Sequence, residues 1–265
     1  MTGLERFVLA KRGEIAALER AGEKSLSVWT GKRPSFRRAL EAGGEGPLPV
    51  VAEYKRASPS RGVICESLEP EEAARQYAGA GASALSVLTE EEYFHGSLSY
   101  LFRMAGGREE AGAGLPMLRK DFIFHPLQVA ATLATPASAV LLIVRLTPDV
   151  RLLRELREKA EAGGVEAVVE VFDEHDIALA RESGASIIQV NARDLASLSV
   201  DRKRCLSLAE ACPPQSGEFW IAASGIHERT DLEEAAEAGY RAALVGSALM
   251  QDGRPAQALQ RLLHG

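Results

Sequence analysis

The 265-residue chain is short of several things, and each shortage excludes a class of protein. Cysteine is scarce. Cys65, Cys205 and Cys212 are odd in number and show no C-x-x-C spacing, which argues against a disulfide framework and for a reducing cytoplasm. His95, His125, His175, His227 and His264 stand far apart, with no H-E-x-x-H and no Cys/His cluster, so no metal site is expected. Long apolar runs are missing too: the longest clean stretch, Ala139 to Val144, falls far short of the roughly 20 residues that span a bilayer. The N-terminus lacks an apolar h-region, so no secretory signal is expected. There is no basic excess. A net charge of −6 with scattered Lys and Arg disfavours nucleic acid as a partner. What remains, 46% hydrophobic and 26% charged, is the composition of an ordinary globular protein.

Leu4, Phe7, Val8, Ile15 and Leu18 fall on one helical stripe in the first twenty residues. Residues 22–49 are rich in Gly, Pro and Ser, with a short helical piece near Phe36–Leu40, and read as a connector over a surface. From Val50 onward, short apolar runs alternate with amphipathic segments. The expected strands are 50–53, 84–88, 116–118, 140–144, 167–170, 187–190, 220–222 and 242–245. The expected helices are 70–80, 100–104, 126–133, 149–162, 174–182, 202–211, 228–238 and 255–263. Pro70, Pro126 and Pro255 mark helix starts, and Gly81, Gly184 and Gly239 mark helix ends. The strands are apolar nearly throughout, as in a parallel sheet covered on both faces. Eight strand–helix units predict an α/β protein: one (β/α)8 TIM barrel over 50–265, with residues 1–49 as an N-terminal helical extension packed on it. The rival, an open doubly wound sheet, would usually carry G-x-G-x-x-G after its first strand, where this chain has Glu53-Tyr54-Lys55-Arg56.

Barrel active sites lie at the C-terminal strand ends. Those ends carry Glu53 and Lys55, Lys120 and Asp121, Glu170, Asn191 and Arg193, Ser224-Gly225, and Gly246-Ser247. Singly, each is an ordinary rim or turn residue; closure of the barrel brings them to one mouth. The glycines near the seventh and eighth strand ends, followed by a short segment at 248–250, fit the recurrent barrel phosphate site, where backbone amides approach the anion. Lysines crowded by cations should donate protons near neutrality, and a glutamate in a partly apolar pocket should shift upward and accept one. The residues therefore predict acid–base chemistry on a small phosphorylated substrate, without a cofactor.

The runs 51–62 (VAEYKRASPSRG), 85–90 (LSVLTE) with 93–96 (YFHG), and 118–122 (LRKDF) resemble indole-3-glycerol phosphate synthases. So do 169–171 (VEV), 190–195 (VNARDL), 223–226 (ASGI) and 244–250 (LVGSALM), in order along the whole barrel. The resemblance implies ring closure of 1-(2-carboxyphenylamino)-1-deoxyribulose 5-phosphate, with loss of carbon dioxide and water, in tryptophan biosynthesis. It implies Lys120 as general acid, Glu170 as general base, and Lys55 as carboxylate binder and second acid, with Glu53 and Asn191 orienting the site. Ser58, Pro59, Phe94, Phe122, Arg193 and Leu195 would contact the substrate, the aromatic pair and Pro59 as an apolar slot. Ser224, Gly225, Gly246 and Ser247 would hold the phosphate.

Two positions depart from the family pattern. Ala223 stands where the family has Glu, and Gln189 where it often has Gly. Ala223 motivates an alternative: a catalytically weakened homologue that binds a phosphorylated ligand or a partner. A different phosphate-binding barrel lyase or isomerase is a third reading. Monomer and homodimer fit the composition equally. Phe7, Trp29 and Phe36 could cover the mouth, shape a lid or join subunits.

Overall fold

A computed structural model of the chain describes residues 3–110 and 114–265. Among these, eight parallel strands close into a barrel: β1 (Val50–Tyr54), β2 (Ala84–Leu88), β3 (Met117–Lys120), β4 (Ala139–Ile143), β5 (Glu166–Val171), β6 (Ile187–Asn191), β7 (Phe219–Ala223) and β8 (Ala242–Val245). Each pairs with its sequence neighbours, and β1 closes the ring on β8 through Val50–Ala243 to Ala52–Val245. β1, β2, β4, β6 and β7 are buried along their whole length, which is why the sequence shows unbroken apolar runs rather than alternation.

The helices follow in order: α1 (Glu5–Ala21), α2 (Phe36–Glu41), α3 (Pro70–Gly79), α4 (Ser99–Glu110), α5 (Pro126–Leu133), α6 (Val150–Ala162), α7 (Glu174–Ser183), α8 (Arg202–Ala211), α9 (Arg229–Glu237), α10 (Ser247–Met250) and α11 (Pro255–His264). Pro70, Pro126 and Pro255 occupy first-turn positions as expected. α4 runs well past the expected end at Met104. Gly107, inside this longer helix, is where α4 meets α3: a Cβ there would sit 2.8 Å from the Glu71 Cα. The glycine is a packing requirement rather than a stop.

The barrel interior is one apolar column, and the N-terminal extension reaches both of its ends. At the mouth, Phe7 of α1 stacks on Phe122 at 4.1 Å between ring centroids and meets Tyr93 edge-on at 5.3 Å. At the opposite end, Phe36 and Leu40 of α2 are buried in the same column as Ala84, Ile187, Phe219 and Ala242, at or near the starts of their strands. The Glu166 carboxylate fixes α2 there, accepting from Ser35 Oγ (2.6 Å) and from the amides of Phe36 (3.1 Å) and Arg37 (2.7 Å). The segment 22–49 is thus more than a surface connector: it plugs the bottom of the barrel. Trp29 lies edge-on to Phe102 of α4, and its amide donates to the Leu133 carbonyl at the end of α5.

Candidate active site

Parallel closure puts the last residue of every strand at one rim. The cavity there has a volume of about 360 Å³. Of the residues expected at the site, Glu53, Lys55, Phe94, Lys120, Asn191, Arg193, Leu195, Ser224, Gly225, Gly246 and Ser247 line it. Glu170 lines a narrow adjoining cavity that shares Asn191, Arg193 and Leu195 with the main one. Ser58, Pro59 and Phe122 are set back. Ser58 is buried in a short hairpin (57–58 with 62–63), and Phe122 lies behind Phe94, with ring centroids 6.1 Å apart.

Two lysine–glutamate pairs face each other across the mouth. Lys55 Nζ lies 2.6 Å from Glu53 Oε1, and Lys120 Nζ lies 3.6 Å from Glu170 Oε2. Both glutamates are 3% exposed. Burial alone would raise the Glu53 carboxyl. The charges of Lys55 and Lys120, with hydrogen bonds from Lys55 and Ser86, outweigh it and hold Glu53 below the ordinary carboxylate range. The expected upward shift is therefore reversed at Glu53: two cations beat desolvation, and this carboxylate stays ionised as an orienting group. Arg193 is half-buried, and desolvation with the nearby Arg61 lowers it from its ordinary value. Its Nη1 donates to the Leu198 carbonyl (2.8 Å) and reaches Ser60 Oγ at 3.4 Å, so it ties the β6 loop to the β1 loop.

The glycines have steric reasons. A Cβ on Gly246 would collide with the Glu53 carboxylate and lie 3.0 Å from Lys55 Nζ. Gly225 has φ +77°, and a Cβ there would meet Arg202 Cγ at 2.6 Å. Ser224 beside it also takes a left-handed backbone, φ +70°. The two residues, of which only Ser224 is strained, turn the chain away from β7, while Gly246 leads directly into α10.

Sequence reasoning missed what lies behind Lys120. Arg119 and Asp121, on either side of it, belong to a buried network with α1. Lys11 Nζ sits 2.6 Å from Asp121 Oδ1, and Arg119 Nη2 sits 2.9 Å from Oδ2. Thr89 Oγ1 donates to Asp121 at 2.5 Å, and Lys11 also reaches Glu14 at 2.6 Å. Burial, which alone would raise Asp121, is outweighed by Arg119 and Lys11, so it titrates below the usual range; burial would in turn lower Lys11, but Asp121 and Glu14 outweigh it and raise the ammonium. The alternation of Arg119 and Asp121 around Lys120 was the available signal, since neighbours on a strand face opposite sides.

A family model described as "Indole-3-glycerol phosphate synthase" matches residues 4–262. A protein of that name from Carboxydothermus hydrogenoformans is 40% identical, across 98% of this chain and 99% of its own. One from Desulfotalea psychrophila is 38% identical, across 98% and 97%. Among solved structures, a 3-hexulose-6-phosphate synthase from Salmonella typhimurium superposes with TM-score 0.60 at 16% identity, covering 81% of this chain and 96% of that one. A thiamine phosphate pyrophosphorylase from Pyrococcus furiosus gives TM-score 0.57 at 17% identity, over 82% and 94%. The two structural likenesses show the fold alone. The family match and the two sequence relatives span nearly the whole barrel and its mouth, and the chain belongs to the indole-3-glycerol phosphate synthase family.

Proposed function

We propose that this protein converts 1-(2-carboxyphenylamino)-1-deoxyribulose 5-phosphate into indole-3-glycerol phosphate, carbon dioxide and water. The observation that carries the reading is the pair of Lys–Glu couples, Lys55–Glu53 and Lys120–Glu170, converging on one mouth from β1, β3 and β5. Lys120 protonates the ribulose carbonyl oxygen as the ring carbon bearing the carboxylate attacks the carbonyl carbon. Lys55 holds that carboxylate, and carbon dioxide leaves with its bonding electrons returning to the ring. Phe94 and Leu88 supply an apolar wall, which favours expulsion of a neutral gas from a charged group. Lys55, the second acid, then protonates the departing hydroxyl, and Glu170 removes the C1 proton whose loss completes the indole. Glu53 and Asn191 orient the lysines, and Arg193 balances charge. Ser58, Pro59, Phe122 and Leu195 shape the substrate's surroundings, and Ser224, Gly225, Gly246 and Ser247 bind the phosphate. Much of the acceleration is orientation, since carbon and carbonyl must meet in one geometry.

The weakened-homologue reading is not favoured: Ala223 leaves both lysines and both glutamates in place. We further propose residues 1–49 as an extension serving the 50–265 barrel, a cytoplasmic location, a monomer or homodimer, and no nucleic-acid partner. The test is a steady-state assay following indole fluorescence. Wild type should turn over, and Lys120→Met should abolish turnover while its melting temperature stays within a few degrees. Undiminished activity of Lys120→Met overturns the assignment. Ala223→Glu run alongside decides the alternative, since a dead wild type with an active variant would favour it.

A further inference from the structure

Gln189 is read from the sequence only as a departure, yet it occupies a demanding place. It sits on β6 directly beside Glu170 on β5, two residues before Asn191 and therefore on the same inward side. Its side chain is fully buried, and its Nε2 donates to Glu170 Oε2 at 2.5 Å. The same carboxylate oxygen lies 3.6 Å from Lys120 Nζ. The N–H end of the amide thus faces the carboxylate oxygen, which accepts from it. That leaves Gln189 Oε1 buried without a hydrogen-bond partner among the described residues. An unpaired buried acceptor is costly, and a methionine of similar size would avoid the cost. The amide is accounted for by what its N–H end does.

We propose that Gln189 is the positioning residue of Glu170, holding the carboxylate off Lys120 so that the acid and the base stay separate. The inference rests on the acid–base roles proposed above. At 3.6 Å the Lys120–Glu170 pair is longer than a hydrogen bond. Without the Gln189 donor, Glu170 closes onto Lys120, and each group satisfies the other instead of the substrate. Gln189 also lines the main cavity, whereas Glu170 lines the narrower one beside it, so the amide stands at the boundary between them.

The test compares wild type with Gln189→Met, which keeps the volume, and with Gln189→Leu as a second apolar variant. Both should lose kcat by roughly 10- to 100-fold, the worth of one hydrogen bond to a charged group, with KM changed less than about threefold. A residue that merely packs would not give this split. The second readout needs no turnover: the carboxylate stretching band of Glu170, identified by its loss in Glu170→Gln, should shift in Gln189→Met. An unmoved band or a retained kcat in either folded variant overturns the proposal. A shifted band in a protein whose wild type fails to turn over would uphold the positioning and reject the substrate assignment instead.

Discussion

Replacing Asp121 with Asn tests the buried network behind Lys120. Asp121 is 1% exposed at the side chain and compensates two cations, Lys11 and Arg119. The amide is neutral and turns an N–H toward at least one of them. Breaking a buried ionic group by removing one partner costs about 3–5 kcal/mol. At about 2–4 °C per kcal/mol for a domain near this size, the melting temperature should fall by about 6–20 °C. Thermal melts by circular dichroism measure it, with Lys11→Met and the double mutant completing a cycle. Coupling of at least about 1 kcal/mol is expected because the groups touch. The pH dependence has a definite sign. Asp121 titrates below its ordinary value when folded, so its contribution is complete above about pH 4 and fades as pH falls further. Lys11 titrates above its ordinary value, so its contribution is complete below about pH 10 and fades as pH rises through the folded value. The gap between wild type and Asp121→Asn should hold from about pH 5 to 9 and narrow in acid. A fall under about 2 °C, or strict additivity with Lys11→Met, would refute the reasoning.

Gly246→Ala should push Glu53 and Lys55 apart, lowering kcat/KM by roughly 10- to 100-fold for one charged hydrogen bond; unchanged kinetics would show the pair idle. Phe7→Ala removes a 1%-exposed ring stacked on Phe122, and stability should drop by about 3–5 kcal/mol in denaturant titrations, with KM raised as the Phe122 wall loosens. Glu166→Ala, at the far end of the barrel, should lower stability by about 1–3 kcal/mol while kcat and KM hold, a control that separates plug from mouth.

The barrel was legible because strands buried on both faces read as plain apolar runs, and because closure alone gathers their ends. Boundaries slipped where function interrupts hydrophobicity: β3 extends through Arg119 to Lys120 and β6 through Asn191, polar residues that ended the apolar runs. The short helix α2 was read near Phe36–Leu40, but not its role as a plug, because its burial depends on strand starts far along the chain. At the site, strand-end residues were found by topology. Lys11 and Gln189 were not assigned roles, since each acts on a partner distant in sequence: Asp121 for the one, Glu170 for the other.

The extension that closes both ends of the barrel also sets an order of events for the newborn chain. α1 and α2 leave the ribosome before the barrel strands, and several of their partners are made late. Arg6 bonds the Leu195 carbonyl 189 residues on, and Arg37 bonds the Gly217 carbonyl 180 residues on. Phe36 must therefore wait, apolar and uncovered, until β6 and β7 exist, and Phe7 until Tyr93 and Phe122 are made. Contacts of such separation form slowly, and the waiting segment is exposed to the wrong partners meanwhile. Residues translated ahead of the whole barrel are thus among the last to reach their final places.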